Sequence, residues 1–144
     1  MTPTATLVLR LPPKAEFCAV ARKRILAFAH GRGIALGLSQ AVVAAVGEAL
    51  ANAIEHAGTT QPIEIEVDAD AERLVVTVRD AGVGFETSIN AITLPDNGSE
   101  RGRGLAIMRD SSDIFTVTAL PGGGTEVTVG RYLSDDKRER RLSA

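Results

Sequence analysis

The chain has 144 residues, 44% hydrophobic and 24% charged, with a formal net charge of -2. That length suits one domain with a proper core rather than two of ordinary size, and the composition excludes a disordered chain. Four Phe, one Tyr, no Trp and a slightly acidic balance exclude base-stacking platforms and the broad basic footprint of nucleic-acid binding.

Residues 5–11 carry Ala5, Leu7, Leu9 and Leu11 on alternate positions, which predicts a half-buried strand that Pro12-Pro13 ends. From Lys14 to His30, Phe17, Ala21, Ile25 and Phe28 recur at helical spacing, and Gly31 and Gly33 stop the helix. Its one cysteine, Cys18, has no partner for an internal disulfide, fits a reducing compartment and reads as a small core residue. Arg22, Lys23 and Arg24 read as a solvated face before a docking surface. No secretory leader is expected, because the apolar stretch Leu7–Leu11 is short and lacks a basic lead-in. No segment is expected to reach the length of a membrane span, and the expected location is cytoplasmic.

Ser39 is the expected N-cap of a second helix that runs to about Ala57, with Gly58 just past its end. Val42, Val43, Val46, Leu50, Ala53 and Ile54 gather on one side of it, and Glu48, Asn52 and His56 are expected along the opposite side. Ile63, Ile65 and Val67, then Leu74, Val76 and Val78, alternate with polar or outward residues and predict an antiparallel hairpin. Residues 86–101 read as a loop, and a helix is expected from Leu105 towards Ser111. Strands at about 114–119 and 125–132 are joined by the turn Pro121-Gly-Gly-Gly124. The charged tail, residues 134–144, has no apolar period and is expected to be disordered. The sum is an α/β (α+β) two-layer sandwich, a mixed or mostly antiparallel sheet with helices on one face.

Three segments can carry chemistry. In Glu48-x-x-x-Asn52-x-x-x-His56, a carboxamide oxygen at Asn52 is a hard ligand suited to Mg²⁺, and Glu48 one turn earlier can take a proton from an attacking hydroxyl. A plain solvent-facing stripe is the competing reading. Asp80 ends an aliphatic strand and leads into Gly82 and Gly84; an ionised carboxylate there accepts the exocyclic amino group of adenine, which guanine does not offer at that place. An ordinary Asp-Ala-Gly turn is the alternative. Gly102-Arg103-Gly104-Leu105 opens onto a helix, where backbone N–H groups attract phosphate and Arg101 and Arg103 add charge; a simple turn is the alternative. No Gly-Lys-[Ser/Thr] occurs, so this is not a Walker A loop. Thr125 begins the last strand and can touch the nucleotide through its hydroxyl, although a β-branched residue at a strand start needs no special cause.

The segments Glu48-Ala-Leu-Ala-Asn52-Ala-Ile-Glu-His56-Ala, Asp80-Ala-Gly-Val-Gly-Phe85 and Gly102-Arg-Gly-Leu-Ala-Ile-Met108, in that order, resemble the N box and the two glycine boxes of the GHKL ATPase/kinase superfamily. They look most like the anti-sigma-factor serine/threonine kinases of bacterial partner-switching systems. The resemblance covers roughly residues 5–132 and implies the Bergerat ATP-binding fold over a single domain, 1–133. It implies ATP and Mg²⁺ as ligands, with Asn52 on the metal, Asp80, Gly82 and Gly84 at the adenine, Gly102 and Gly104 at the phosphates, Glu48 as the base and residues 86–101 as the lid. It further implies transfer to a Ser or Thr of a STAS-type anti-sigma-factor antagonist, sequestration of a sigma factor, and a homodimer, with no direct nucleic-acid or membrane partner. Two alternatives stay open: a nucleotide-responsive binding module without phosphoryl transfer, and a detached histidine-kinase-type ATPase domain. The latter is the less expected of the two, because no acceptor helix is read around His30 or His56, the two histidines of this sequence.

Overall fold

A computed structural model describes residues 4–56, 60–81 and 112–134. Strand β1 (Ala5–Leu11) leads into helices α1 (Phe17–Gly31) and α2 (Leu36–His56), followed by β2 (Ile63–Ala69), β3 (Arg73–Asp80), β4 (Ile114–Ala119) and β5 (Thr125–Tyr132). The strands form one five-stranded sheet in the order β1-β2-β3-β5-β4, and every neighbouring pair is antiparallel. Helix α2 packs on β3 and β5, and α1 packs on α2 and reaches β1. The result is the expected two-layer α+β sandwich. The predicted helix 105–111 and the tail beyond Ser134 lie outside the described residues.

Period-two patterning decides which sheet face is covered. Ile63, Ile65 and Val67 of β2, Leu74, Val76 and Val78 of β3, and Val127 and Val129 of β5 are buried. They meet Val42, Val46, Ala49, Leu50 and Ala53 of α2, and Ala21, Ile25 and Ala29 of α1, in one aliphatic cluster. Cys18 packs at its margin, and burial pushes its thiol up against a smaller opposing effect of Arg22, as suits a core residue.

Local chemistry explains the element ends. Helix α1 starts later than its periodicity predicts, because Lys14 N–H bonds back to the Pro12 carbonyl at 2.8 Å in a preceding turn. It closes in a Schellman arrangement: Gly33, at φ +75°, donates to His30 O, and Ile34 donates to Ala29 O. Ser39 is not the N-cap. Helix α2 begins at Leu36, and the buried Ser39 hydroxyl donates to the Leu36 carbonyl at 3.0 Å, so it is satisfied inside the helix. The β2–β3 turn is held by Asp70, whose carboxylate accepts from Glu72 N–H at 2.7 Å and Arg73 N–H at 2.9 Å; these bonds lower its pKa. By length and composition alone α2 could cross a membrane over Leu36–Glu55, contrary to expectation, but its apolar stripe is spent on the sheet.

The outer sheet face carries a row of charge. Arg10, Glu64, Arg79 and Glu126 are consecutive register partners across β1, β2, β3 and β5. Arg79 sits at its centre, 2.7 Å from Glu126 and 3.0 Å from Glu64, and these carboxylates hold its guanidinium firmly charged, Glu126 most of all. At the other end of β5, the buried Asp113 accepts from Tyr132 N–H at 3.0 Å and lies 3.4 Å from Arg131 Nε.

Two glycines make opposite predictions. A Cβ at Gly130 would sit 2.9 Å from the Leu74 carbonyl oxygen, whereas one at Gly47, inside α2, would meet nothing. Gly47→Ala is expected to stabilise by about 0.5–1 kcal/mol, and Gly130→Ala to destabilise by about 1–3 kcal/mol, in denaturant titrations. Equal shifts of the same sign would refute the packing described. Arg79→Met should speed amide exchange at Val78, Asp80 and Val127 relative to the wild type, an effect that shrinks in high salt because the pairs are partly solvated.

Candidate functional site

Two pairs of predicted residues fall in the described parts. The first is formed by strand ends. Asp80 is the last residue of β3, Thr125 the first of β5, and they are register partners. One step inward, Val78 faces Val127 and both are buried on the helix side; the intervening partners Arg79 and Glu126 are the outward ion pair. Alternation therefore returns Asp80 and Thr125 to the helix side, where both are half-buried.

The turn before Thr125 brings the backbone closer still. Gly122, Gly123 and Gly124 all have positive φ, at +85°, +107° and +102°. Gly123 N–H donates to Leu120 O, and Leu120 N–H to Gly124 O, each at 3.1 Å. Gly124 is buried against β3: a Cβ built there would fall inside contact distance of the Asp80 carbonyl oxygen, 3.1 Å from the carbonyl carbon and 3.2 Å from Ala81 Cα. Only glycine accepts both that backbone angle and that approach.

The second pair lies on α2. Glu48 and Asn52 are one turn apart and half-buried, whereas Gln40, Ala44, Ala51 and Glu55 are exposed. The stripe therefore flanks the buried face instead of lying opposite it. At about 100° per residue, positions 48 and 52 fall between the core set and the solvent set. Helix α2 packs on the two strands that end at Asp80 and begin at Thr125, so Asp80 and Thr125 lie on the sheet face that α2 covers and Glu48 and Asn52 lie at the edge of that helix's buried face. His56 closes α2. Gly82, Gly84, Arg101, Gly102, Arg103, Gly104 and Leu105 lie outside the described residues.

These groups have distinct capacities. An ionised Asp80 only accepts hydrogen bonds, the Thr125 hydroxyl donates and accepts, and Asn52 offers a neutral oxygen beside the Glu48 carboxylate. Among the described residues no three His, Cys, Asp or Glu side chains gather as a metal cage. A single carboxamide oxygen fits an ion that keeps water and phosphate oxygens as its remaining ligands, which is the habit of Mg²⁺.

Two features escape a reading of the sequence. The triple glycine signals a turn but not its seat on the Asp80 carbonyl. The alternating Glu64, Glu66 and Arg79 predict an outward face, but the row through Arg79 appears only with strand order.

The sequence matches the family of histidine kinase-like ATPase domains over residues 11–131. No curated protein matches it significantly. Among solved structures, a chain from the crystal structure of the SiaB-SiaC complex from Pseudomonas aeruginosa is similar, with a TM-score of 0.68 over 86% of this chain and 88% of that one, at 12% identity. At that identity the likeness is one of fold. The family match runs from the end of β1 into β5 and spans Glu48, Asn52, Asp80 and Thr125; the chain belongs to the histidine kinase-like ATPase family, a GHKL-type fold that uses ATP.

Proposed function

We propose that the protein is an ATP- and Mg²⁺-dependent protein serine/threonine kinase of the anti-sigma type, which phosphorylates a STAS-type antagonist and sequesters a sigma factor. The observation that carries this reading is the placement of Glu48 and Asn52, one turn apart at the edge of the buried face of the helix that packs on β3 and β5, the strands that end at Asp80 and begin at Thr125. In it, Asp80 accepts the adenine amino group, the Thr125 hydroxyl lies beside it, and Asn52 supplies one oxygen to Mg²⁺. Gly82 and Gly84 flank the base, and Arg101, Gly102, Arg103, Gly104 and Leu105 hold the phosphates. The ion neutralises phosphate charge when bound. Glu48 takes the proton of the partner's hydroxyl as that oxygen bonds to the γ-phosphorus and ADP departs. The likeness in fold to a chain of a two-protein complex supports a domain that works against a protein partner.

A transfer assay tests it, with labelled ATP, Mg²⁺ and a STAS-type protein encoded nearby. Glu48→Ala is expected to keep ATP binding and lose transfer by about 10²–10⁴-fold, and Asn52→Ala to lose Mg²⁺-dependent ATP binding. Undiminished transfer by Glu48→Ala would remove that residue from the base role. A wild type that binds ATP and the partner without transferring phosphate would instead be a nucleotide-responsive binding module.

A further inference from the structure

We infer that Gly124 is a positioning residue for the base-recognising carboxylate, so that the Pro121–Gly124 turn sets the discrimination of ATP from nucleotides lacking the amino group. This rests on the assignment of Asp80 to adenine.

Gly122 and Gly124 share a turn and a positive φ, at +85° and +102°, but differ in surroundings. A Cβ at Gly122 would meet nothing, whereas one at Gly124 would press on the Asp80 carbonyl oxygen and Ala81 Cα. The obstacle is backbone on both sides, so no side-chain rotation relieves it. An added methyl must push the Asp80–Ala81 peptide away from the start of β5. Asp80 and Thr125 are the last register pair at this end, so no further rung of the β3–β5 ladder opposes that movement. The carboxylate belongs to the residue that is displaced. A hydrogen bond to an amino group weakens steeply with angle and with a few tenths of an ångström. The expected loss therefore falls on recognition of the base, while phosphate binding, at other residues, continues.

Inosine triphosphate is the probe, because it presents a carbonyl where ATP presents the amino group, and two acceptors repel. Dissociation constants for ATP and inosine triphosphate are measured for the wild type, Gly122→Ala and Gly124→Ala, with folding checked by circular dichroism and melting. The wild type is expected to prefer ATP by at least about tenfold, as for a site built around one hydrogen bond to charge. Gly122→Ala carries comparable backbone strain and should keep that ratio. Gly124→Ala should bring it within about threefold of unity while still binding inosine triphosphate.

A Gly124→Ala protein that keeps the wild-type ratio overturns the proposal. A wild type without preference refutes the Asp80 assignment itself, and the proposal falls with it. If Gly124→Ala does not fold, it is repeated in the Gly47→Ala background. Failure there too overturns the proposal, since the glycine is then a requirement of the fold and not of recognition.

Discussion

The burial of one side of α2 on β3 and β5 is the contact on which the rest depends. Val42, Val46, Ala49, Leu50 and Ala53 meet Leu74, Val76, Val78, Val127 and Val129, and nearly all are shielded from water. Each fully buried Val or Leu contributes at most about 1.5–3 kcal/mol, so the eight larger members outweigh any surface ion pair among the described residues. Small residues along the helix let it lie close to the sheet. Because the helix is rotationally locked by this stripe, the positions just off its edge are locked too. Glu48 and Asn52 gain a defined place without making the contacts that secure it.

The end of β3 shows how a strand separates two tasks by one residue. Arg79 points outward and ties three strands together through Glu64 and Glu126. Asp80 points inward, next to Thr125, with Gly124 against its carbonyl. The cross-strand pairs hold the backbone from the solvent side, and the carboxylate lies on the opposite face. A single-residue slip of the register would exchange the two, placing a guanidinium in the helix layer and a carboxylate in water.

Much of this was legible in the residues. Alternation locates β1, the Pro121-Gly-Gly-Gly124 turn locates β4 and β5 on either side of it, and the hairpin β2–β3 follows from two aliphatic runs with a short polar link. The box-like segments point to the family that the match over residues 11–131 shows. Helix starts were less legible: Ser39 has the chemistry of a cap, but a hydroxyl can be satisfied by the carbonyl three residues back, and burial chose that solution. The face of Glu48 and Asn52 was misplaced because a wide apolar stripe leaves little room for an opposite side. The Gly124 approach to Asp80 could not be read, since it depends on β5 returning to pair with β3 across more than forty intervening residues.

Tyr132 is the chain's single tyrosine, and no tryptophan accompanies it. It stands opposite Arg73, at the end of the β3–β5 ladder furthest from Asp80 and Thr125, with its amide anchored on Asp113. Tyrosine emission therefore originates at one corner, at the end of the ladder away from Asp80 and Thr125. A ligand-induced change in that emission, once absorption by the adenine ring is corrected for, is one that reaches Tyr132 from the opposite end of the β3–β5 ladder, with no label attached.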